Sequence, residues 1–483
     1  MHGCMTTSRR PLPRTATVWL VATCLLSVVA FGAYHFYLRG LMLDGGLRLG
    51  AVRPGLKVYR IVPLYIYWRP RVKTGLLIAA GVVAAFVCWL RRSPACRGTD
   101  RYDRYCIPAL VAWHIAIAVA VALVDGGPQK LWEPFTVHRR SDYIGAVAEI
   151  DNPREFLRDY AAKMSHLPLH CRHHPPGGPL LLWAVSRLFA PGPFAASLAT
   201  IFLSGLAVPA VYLLARDVLG EAPARLAAGL FMLAPNVVAY SATCLDAVFM
   251  VPFVWTFYFL WHGREHRPLL AGAAGGLTAS VAAMTTFSAS FLALWGVVLL
   301  GLTAAFDRSR LRNAVLAVVS ALVAAALFHA ILYAWSNYDP LAVLRQAFAG
   351  QDEVMKGRGH SSMRQSLHFA LTNLVAFAFC SGLPVAVLWL RQTGRELASA
   401  SASPARWLLL SFGLTLLLVD LAPLYTLETE RIWIFLVGFL AIGAARYLSQ
   451  IASPSGFAPV VLTALLLQAG QTMLMEVLLD WVW

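Results

Sequence analysis

Apolar residues in this chain come in long blocks, and short basic clusters separate the blocks. A run of about 18 or more apolar residues can cross a hydrocarbon core about 30 Å thick. Such runs fall near 17–37, 75–91, 106–125, 193–215, 226–242, 246–262, 268–285, 287–305, 313–335, 369–390, 407–424, 432–447 and 457–478. They make about thirteen spans. Backbone polar groups in lipid must be satisfied within the segment, and the chain lacks the period-2 alternation of a barrel, so the spans read as helices. The expected fold is all-α, a polytopic transmembrane helical bundle with one long outer loop that carries juxtamembrane helices.

The basic clusters orient the bundle. Arg91, Arg92, Arg97, Arg101 and Arg104 form one; others are Arg216 with Arg225, Arg264 with Arg267, Arg308 with Arg310 and Arg312, Arg391 with Arg395, and Arg446. Cytoplasmic loops collect Lys and Arg. With the N-terminus inside, every one of these clusters faces the cytoplasm, and the loops 126–192, 243–245, 336–368 and 425–431 face out. Pro179 to Phe189 is apolar but too short to span easily. It reads as a juxtamembrane helix, because a crossing there would invert every later cluster. The segment 38–74 resists this scheme. It carries eight Lys and Arg, yet the alternation of spans puts it outside. Around Val58 to Trp68 it reads as an interfacial segment that binds anionic lipid. Ser399 to Pro404 reads as a short flexible linker on the cytoplasmic side.

Composition agrees with this picture and removes others. The chain is 59% hydrophobic and 13% charged, where soluble domains average about half and about a quarter. A net charge of +16 would suggest nucleic acid in a soluble protein. Here the cations sit in short loops, and no phosphate-binding glycine loop or nucleic-acid motif is present, so no nucleic-acid partner is expected. Eight cysteines are scattered without a C-x-x-C pair, which argues against a disulfide framework or a zinc site. The apolar run behind Arg9, Arg10 and Arg14 reads as a retained signal anchor. The expected location is the plasma or inner membrane, multi-pass, with the working face outside the cytoplasm.

The most polar stretch is the outer loop that contains "HRRSDYIGAVAEIDNPREFLRDYAAKMSHLPLHCRHHPPGGPLLLW". Asn152-Pro153 marks a helix start, and Pro153 to Met164 a plausible amphipathic helix. Pro175-Pro176-Gly177-Gly178 breaks the chain before the juxtamembrane helix. Asp142 lies between the basic pair Arg139-Arg140 and Tyr143, and serves either as a catalytic base, as a structural ion pair or helix cap, or as plain surface. His166 and His170 stand four apart, but Pro168 between them argues against a shared helix face and hence against a metal site. Arg172, His173 and His174 lead into the prolines. Asp246 lies near the outer end of its span, a depth at which an ionisable side chain implies either function or helix–helix bonding. Glu428, Glu430 and Arg431 stand at the mouth of a late span, where Arg431 binds phosphate, anchors at the interface beside Trp433, or pairs with Glu428 or Glu430. The loop 336–368 reads as an outer lid or acceptor-binding loop.

From about 140 to 262 the chain resembles the C-class (GT-C) membrane glycosyltransferases that depend on polyprenol-phosphate sugars, among them the protein O-mannosyltransferases and the aminoarabinose transferases. The resemblance rests on Asp142 in an early outer loop, His174-Pro175-Pro176, Tyr212 to Arg216, Leu219-Gly220, Ala234-Pro235 and the downstream Asp246. It extends more loosely to 337–348 and 428–445. It implies residues 1–105 as an N-terminal transmembrane extension and 106–483 as the GT-C-like domain. The loop 126–192 would then be catalytic and 336–368 a lid. Two helices precede the helix that would ordinarily be first, and the acidic position is a single Asp142 where many relatives show adjacent acids.

Moving a sugar from a lipid phosphate to a hydroxyl needs a base at the acceptor oxygen and donors on the leaving phosphate. The resemblance implies an inverting transferase with Asp142 as base. Arg140, Tyr143, Arg172, His173, His174, Asp246, Glu430 and Arg431 would contact substrate, with His174 and Arg431 near the donor phosphate. Expected partners are membrane lipid, a polyprenyl-phosphate-linked sugar donor and a glycan, lipid or protein acceptor; no cofactor or metal is implied. A transporter or flippase of a lipid-linked or small polar substrate is the alternative, and a catalytically inactive membrane scaffold another.

Overall fold

The computed structural model describes residues 13–43, 59–64, 66–71, 73–92, 105–124, 126–137, 143–357, 363–399, 403–422, 425, 428–452 and 459–481. Asp142 and the pair Arg139-Arg140 lie outside the described residues, as do the central residues 400–402 of the predicted linker.

The described chain is a helical membrane bundle. Eight helices are long and apolar enough to cross a membrane: Thr15–Leu41, Pro193–Leu219, Pro268–Thr285, Phe287–Phe306, Arg308–Ser336, Pro404–Leu421, Ile434–Ile451 and Pro459–Leu478. Each coincides with a predicted span. Two further predicted spans are bent pairs. The span at 226–242 is Glu221–Met232 followed by Pro235–Thr243, bent by 60°, and the span at 369–390 is Leu367–Ser381 followed by Leu383–Ala398, bent by 115°. The remaining three, at 75–91, 106–125 and 246–262, are the helices Leu76–Arg92, Cys106–Ala122 and Asp246–Glu265. Proline opens many of these helices, at Pro193, Pro235, Pro268 and Pro404. Its missing N–H falls where a helix has no internal partner for one.

The sharper bend has an identifiable cause. Gly382 adopts φ +100°, a conformation that only glycine takes without strain. Two glutamines of the last helix meet the backbone groups freed there. Gln468 Nε2 donates to Ser381 O at 2.7 Å, Gln471 Nε2 donates to Phe379 O at 2.7 Å, and Leu383 N donates to Gln471 Oε1 at 2.8 Å. A broken helix at this depth survives because protein supplies the partners that water cannot.

The basic clusters at 216–225, 262–267 and 307–312 share one end of the bundle. His262 Nδ1 bonds Asp217 Oδ2 at 2.7 Å, and Arg264 Nη2 lies 3.7 Å from Asp307 Oδ2. The opposite end carries the loop 143–192 and the start of Asp246–Glu265. Gly177–Leu188, the predicted juxtamembrane helix, has 12 residues, about 18 Å at 1.5 Å per residue, and its tip at Leu188 and Phe189 is exposed.

Among the described residues, the one departure from an all-α fold is a small antiparallel sheet that ties residues 59–68 to the strand Leu479–Trp481. Tyr59–Arg60 pairs with Ile66–Trp68, which pairs with Leu479–Trp481. Arg69 and Asp480 form an ion pair at 2.7 Å, and Lys73 Nζ donates to Glu476 O at 2.6 Å. Trp481 stacks edge-on against Tyr240, with ring centroids 5.4 Å apart. Tyr240 precedes Asp246 by six residues, so the described strands of this segment lie at the site end of the bundle.

Candidate active site

The site begins at the Pro-Pro-Gly-Gly block. Asn152 caps the helix Pro153–Lys163 through its side chain, which accepts from Arg154 N at 2.9 Å. That helix presents Tyr160, whose hydroxyl lies 2.9 Å from the carbonyls of both Cys171 and His174. The hydroxyl therefore fixes the backbone just before Pro175. His166 closes a short turn and His170 sits in the next helix, Leu169–His173, so the two do not share a helix.

Tyr143 is almost fully buried. Its ring meets Phe249 edge-on at 5.5 Å, His174 edge-on at 5.9 Å, and His170 at 5.5 Å. Gly178 admits this packing, because a Cβ there would fall 2.7 Å from Tyr143 Cδ1. The small residue after the two prolines is therefore the seat of the aromatic ring that follows Asp142 in sequence. His174 is partly exposed, yet its Nδ1 is buried with no hydrogen-bond partner. Burial pushes its imidazole down to about 3, with Asp246 opposing that shift and Arg431 adding to it. The ring is consequently neutral at physiological pH.

Asp246 and Arg431 meet across 185 positions of sequence. Arg431 Nη1 donates to Asp246 Oδ2 at 2.7 Å, and Arg431 Nη2 donates to Glu428 Oε2 at 2.7 Å. Cys244 Sγ donates to the same Asp246 oxygen at 2.9 Å. Asp246 is 8% and Arg431 6% exposed, so these are charges taken out of solvent and held by each other. The break at Ala234-Pro235 places Asn236, whose Nδ2 donates to Glu430 O at 2.9 Å. Glu430 is fully buried.

The structure thus assembles Tyr143, His174, Asp246, Glu430 and Arg431 from four separated stretches of chain. His173 lies beside them against the helix Pro340–Gly357, where a Cβ on Gly350 would stand 3.1 Å from His173 Cε1. The predicted lid therefore packs on the catalytic-loop side of the site. Arg172 points elsewhere: it is exposed, and its Nε donates to Leu167 O at 2.8 Å. Arg140 and Asp142 are outside the described residues. Cys244, Asn236 and Tyr160 were not singled out from sequence, where the Ala-Pro break before Asn236 was the one local sign available; the pairing of Arg431 with Glu428 was one of the expected alternatives.

Family comparison agrees with the reading of this stretch. The family model for dolichyl-phosphate-mannose-protein mannosyltransferase matches residues 173–334. The resemblance to the C-class glycosyltransferases is shown there, over a third of the chain. Among solved structures, ArnT from Cupriavidus metallidurans in the apo state is 16% identical with a TM-score of 0.45, over 71% of this chain and 60% of that one. ArnT from the same organism bound to undecaprenyl phosphate is 16% identical with a TM-score of 0.45, over 72% of this chain and 61% of that one. The Archaeoglobus fulgidus oligosaccharyltransferase in complex with Zn and sulfate is 15% identical with a TM-score of 0.46, over 74% and 53%. This chain thus spans little more than half the length of these proteins. No curated protein matches it in sequence.

Proposed function

We propose that the protein is a membrane glycosyltransferase that passes a sugar from a polyprenyl-phosphate donor to an acceptor at the outer face. Residues 1–105 form an extension, and 106–483 form the catalytic domain. The acceptor oxygen attacks the anomeric carbon, the bond to the phosphate oxygen breaks, polyprenyl phosphate leaves, and Asp142 takes the acceptor proton. The observation that carries this reading is the Asp246–Arg431 pair beside His174, inside the stretch where the family model matches.

The geometry refines how the donor is met. Both terminal nitrogens of Arg431 already hold carboxylates. A donor phosphate approaching Arg431 competes with Glu428 or Asp246, so exchange of partners accompanies binding. Arg140 and the N–H of neutral His174 supply the remaining donors. Beside the site an apolar groove of about 430 Å³ runs between Pro268–Thr285 and Arg308–Ser336, lined by Leu277, Leu327, Phe328, Leu332 and Trp335. Phe328 and Leu332 also pack on the cluster that holds Tyr143, Leu245 and Phe249. The groove lies between two helices long and apolar enough to cross a membrane, and takes the isoprenoid chain. A transporter would share the broken helix at Gly382, but Gln468 and Gln471 already occupy the backbone groups a substrate would use there.

The test is transfer of labelled sugar from polyprenyl-phosphate donors to membrane acceptors by purified protein, with release of polyprenyl phosphate. Asp142→Asn keeps the shape but cannot take the proton, and lowers transfer by about 10²–10⁴-fold with an unchanged melting temperature. Full transfer by Asp142→Asn removes this base. Movement of intact donor across liposomes without bond cleavage selects the transporter.

A further inference from the structure

The turn that carries Arg431 is held from two sides by side chains with no assigned role. Glu428 opens it in the left-handed region, at φ +67°, a conformation unfavourable for a residue with a Cβ. Such backbone persists only where the surroundings over-determine it. Arg431 N and Ile432 N both donate to Glu428 O at 2.9 Å, which closes the turn. On one face Asn236, from Pro235–Thr243, donates to Glu430 O at 2.9 Å. On the other Thr429 Oγ1 donates to Asn373 O at 2.9 Å, and Asn373 Nδ2 donates to Tyr425 O at 3.0 Å. Asn373 belongs to Met363–Ser381, the first arm of the helix broken at Gly382. Asn236, Thr429 and Asn373 are all buried. These bonds pin the residues before Arg431 to two helices, while its side chain reaches a third at Asp246.

We infer that Asn236 and Thr429 are positioning residues that fix the Glu428–Arg431 turn, so that the guanidinium is aimed before the donor arrives. The inference rests on the donor-site reading given above. A preset cation binds phosphate without first losing the freedom of its own loop. The break at Ala234-Pro235 brings the Asn236 amide to the turn, and the helix broken at Gly382 brings the Asn373 carbonyl that Thr429 reaches.

The experiment uses the full chain in detergent micelles and undecaprenyl phosphate as probe, with melting temperature measured alongside. Thr429→Val keeps the side-chain shape and removes the hydroxyl that reaches Asn373. Asn236→Leu removes the bond to Glu430 O. Each raises the probe Kd about fivefold, the size of one hydrogen bond, and Thr429→Ser restores it. Combined with Arg431→Lys, neither adds more than about twofold, because both act through the guanidinium. A full additional loss in the Arg431→Lys background assigns Asn236 and Thr429 a merely structural role and overturns the inference. Unchanged Kd in Thr429→Val and Asn236→Leu, with Arg431→Lys weakened, overturns it while leaving the donor site standing. Unchanged Kd in Arg431→Lys overturns both. Should Asn236→Leu fail to accumulate, the Thr429 pair decides alone.

Discussion

Helix Asp246–Glu265 has a buried arginine interaction near each end, about 27 Å apart at 1.5 Å per residue. At the basic end Arg264 is 1% exposed, with its guanidinium 4.2 Å from the Trp261 ring centroid and Nη2 3.3 Å from Glu265 Oε1 and 3.7 Å from Asp307 Oδ2. Arg310 joins the same carboxylates at 2.8 and 3.4 Å. Two cations meet two anions, and the partners come from neighbouring loops. A similar local arrangement holds Arg225 against Glu221 at 3.0 Å, four residues away. At the site end, Arg431 meets Asp246 and Glu428 with Glu430 buried next in sequence, and its bonds reach across the fold. Its surroundings are an imidazole and a thiol. The first arrangement completes itself and needs nothing more. The second draws partners from across the sequence and is surrounded by groups that accept or donate protons, which is how a site differs from a staple.

The widest separation between the two ends should appear on removing each arginine. Breaking a buried pair leaves uncompensated charge and costs about 3–5 kcal/mol. Arg431→Ala and Arg264→Ala should therefore both lower the melting temperature. Only Arg431→Ala should also abolish binding of undecaprenyl phosphate by the protein that remains folded. Equal binding by the two variants, measured after size-exclusion selection of the folded fraction, would erase the distinction.

A smaller effect is expected where the site end is packed rather than charged. Gly178→Ala would set a Cβ against the Tyr143 ring, and overpacking of this kind costs about 1–3 kcal/mol. Tyr143 should shift away from His174, and with it the chain leading to Asp142, so transfer should fall more than stability does. Gly263, at the basic end of the same long helix, would meet Ala317 Cβ at 2.9 Å. Gly263→Ala should cost stability of similar size with turnover per folded molecule preserved. A matching loss of turnover in both variants would show that packing at either end reaches the chemistry equally.

Local features of both ends were legible in sequence. Span lengths, the Asn152-Pro153 helix start, the Pro-Pro-Gly-Gly break and the short helix at Gly177–Leu188 follow from rules that act over a few residues. The segment that the family model matches was found from ordered motifs ending in Asp246. What stayed hidden depends on contacts across the fold. Nothing near Asp246 announces Arg431, 185 positions on, and nothing near Tyr67 announces its pairing with Asp480. The 115° bend inside the predicted span 369–390 looked like continuous apolar helix, because the glutamines that permit it lie on the last helix. The neutrality of His174 was equally unreadable, since it comes from burial under Tyr143 and the loop around Cys171.

That neutrality gives the finest test of the two ends, because it predicts a pH response for one of them. The ordinary imidazole value is about 6.5, and burial in the folded protein pushes His174 down to about 3. Between these values the unfolded chain binds a proton at this position that the folded chain does not. Stability from this group is therefore complete above about pH 6.5 and is lost as pH falls toward 3, with a slope of about 1.4 kcal/mol per pH unit in that window. His174→Asn removes the titrating ring and should flatten the wild-type decline in melting temperature between pH 7 and 5, even if it lowers the value at pH 7. If His174→Asn keeps the same pH slope as wild type, the imidazole in the site titrates normally and its neutrality below about pH 6.5 is overturned.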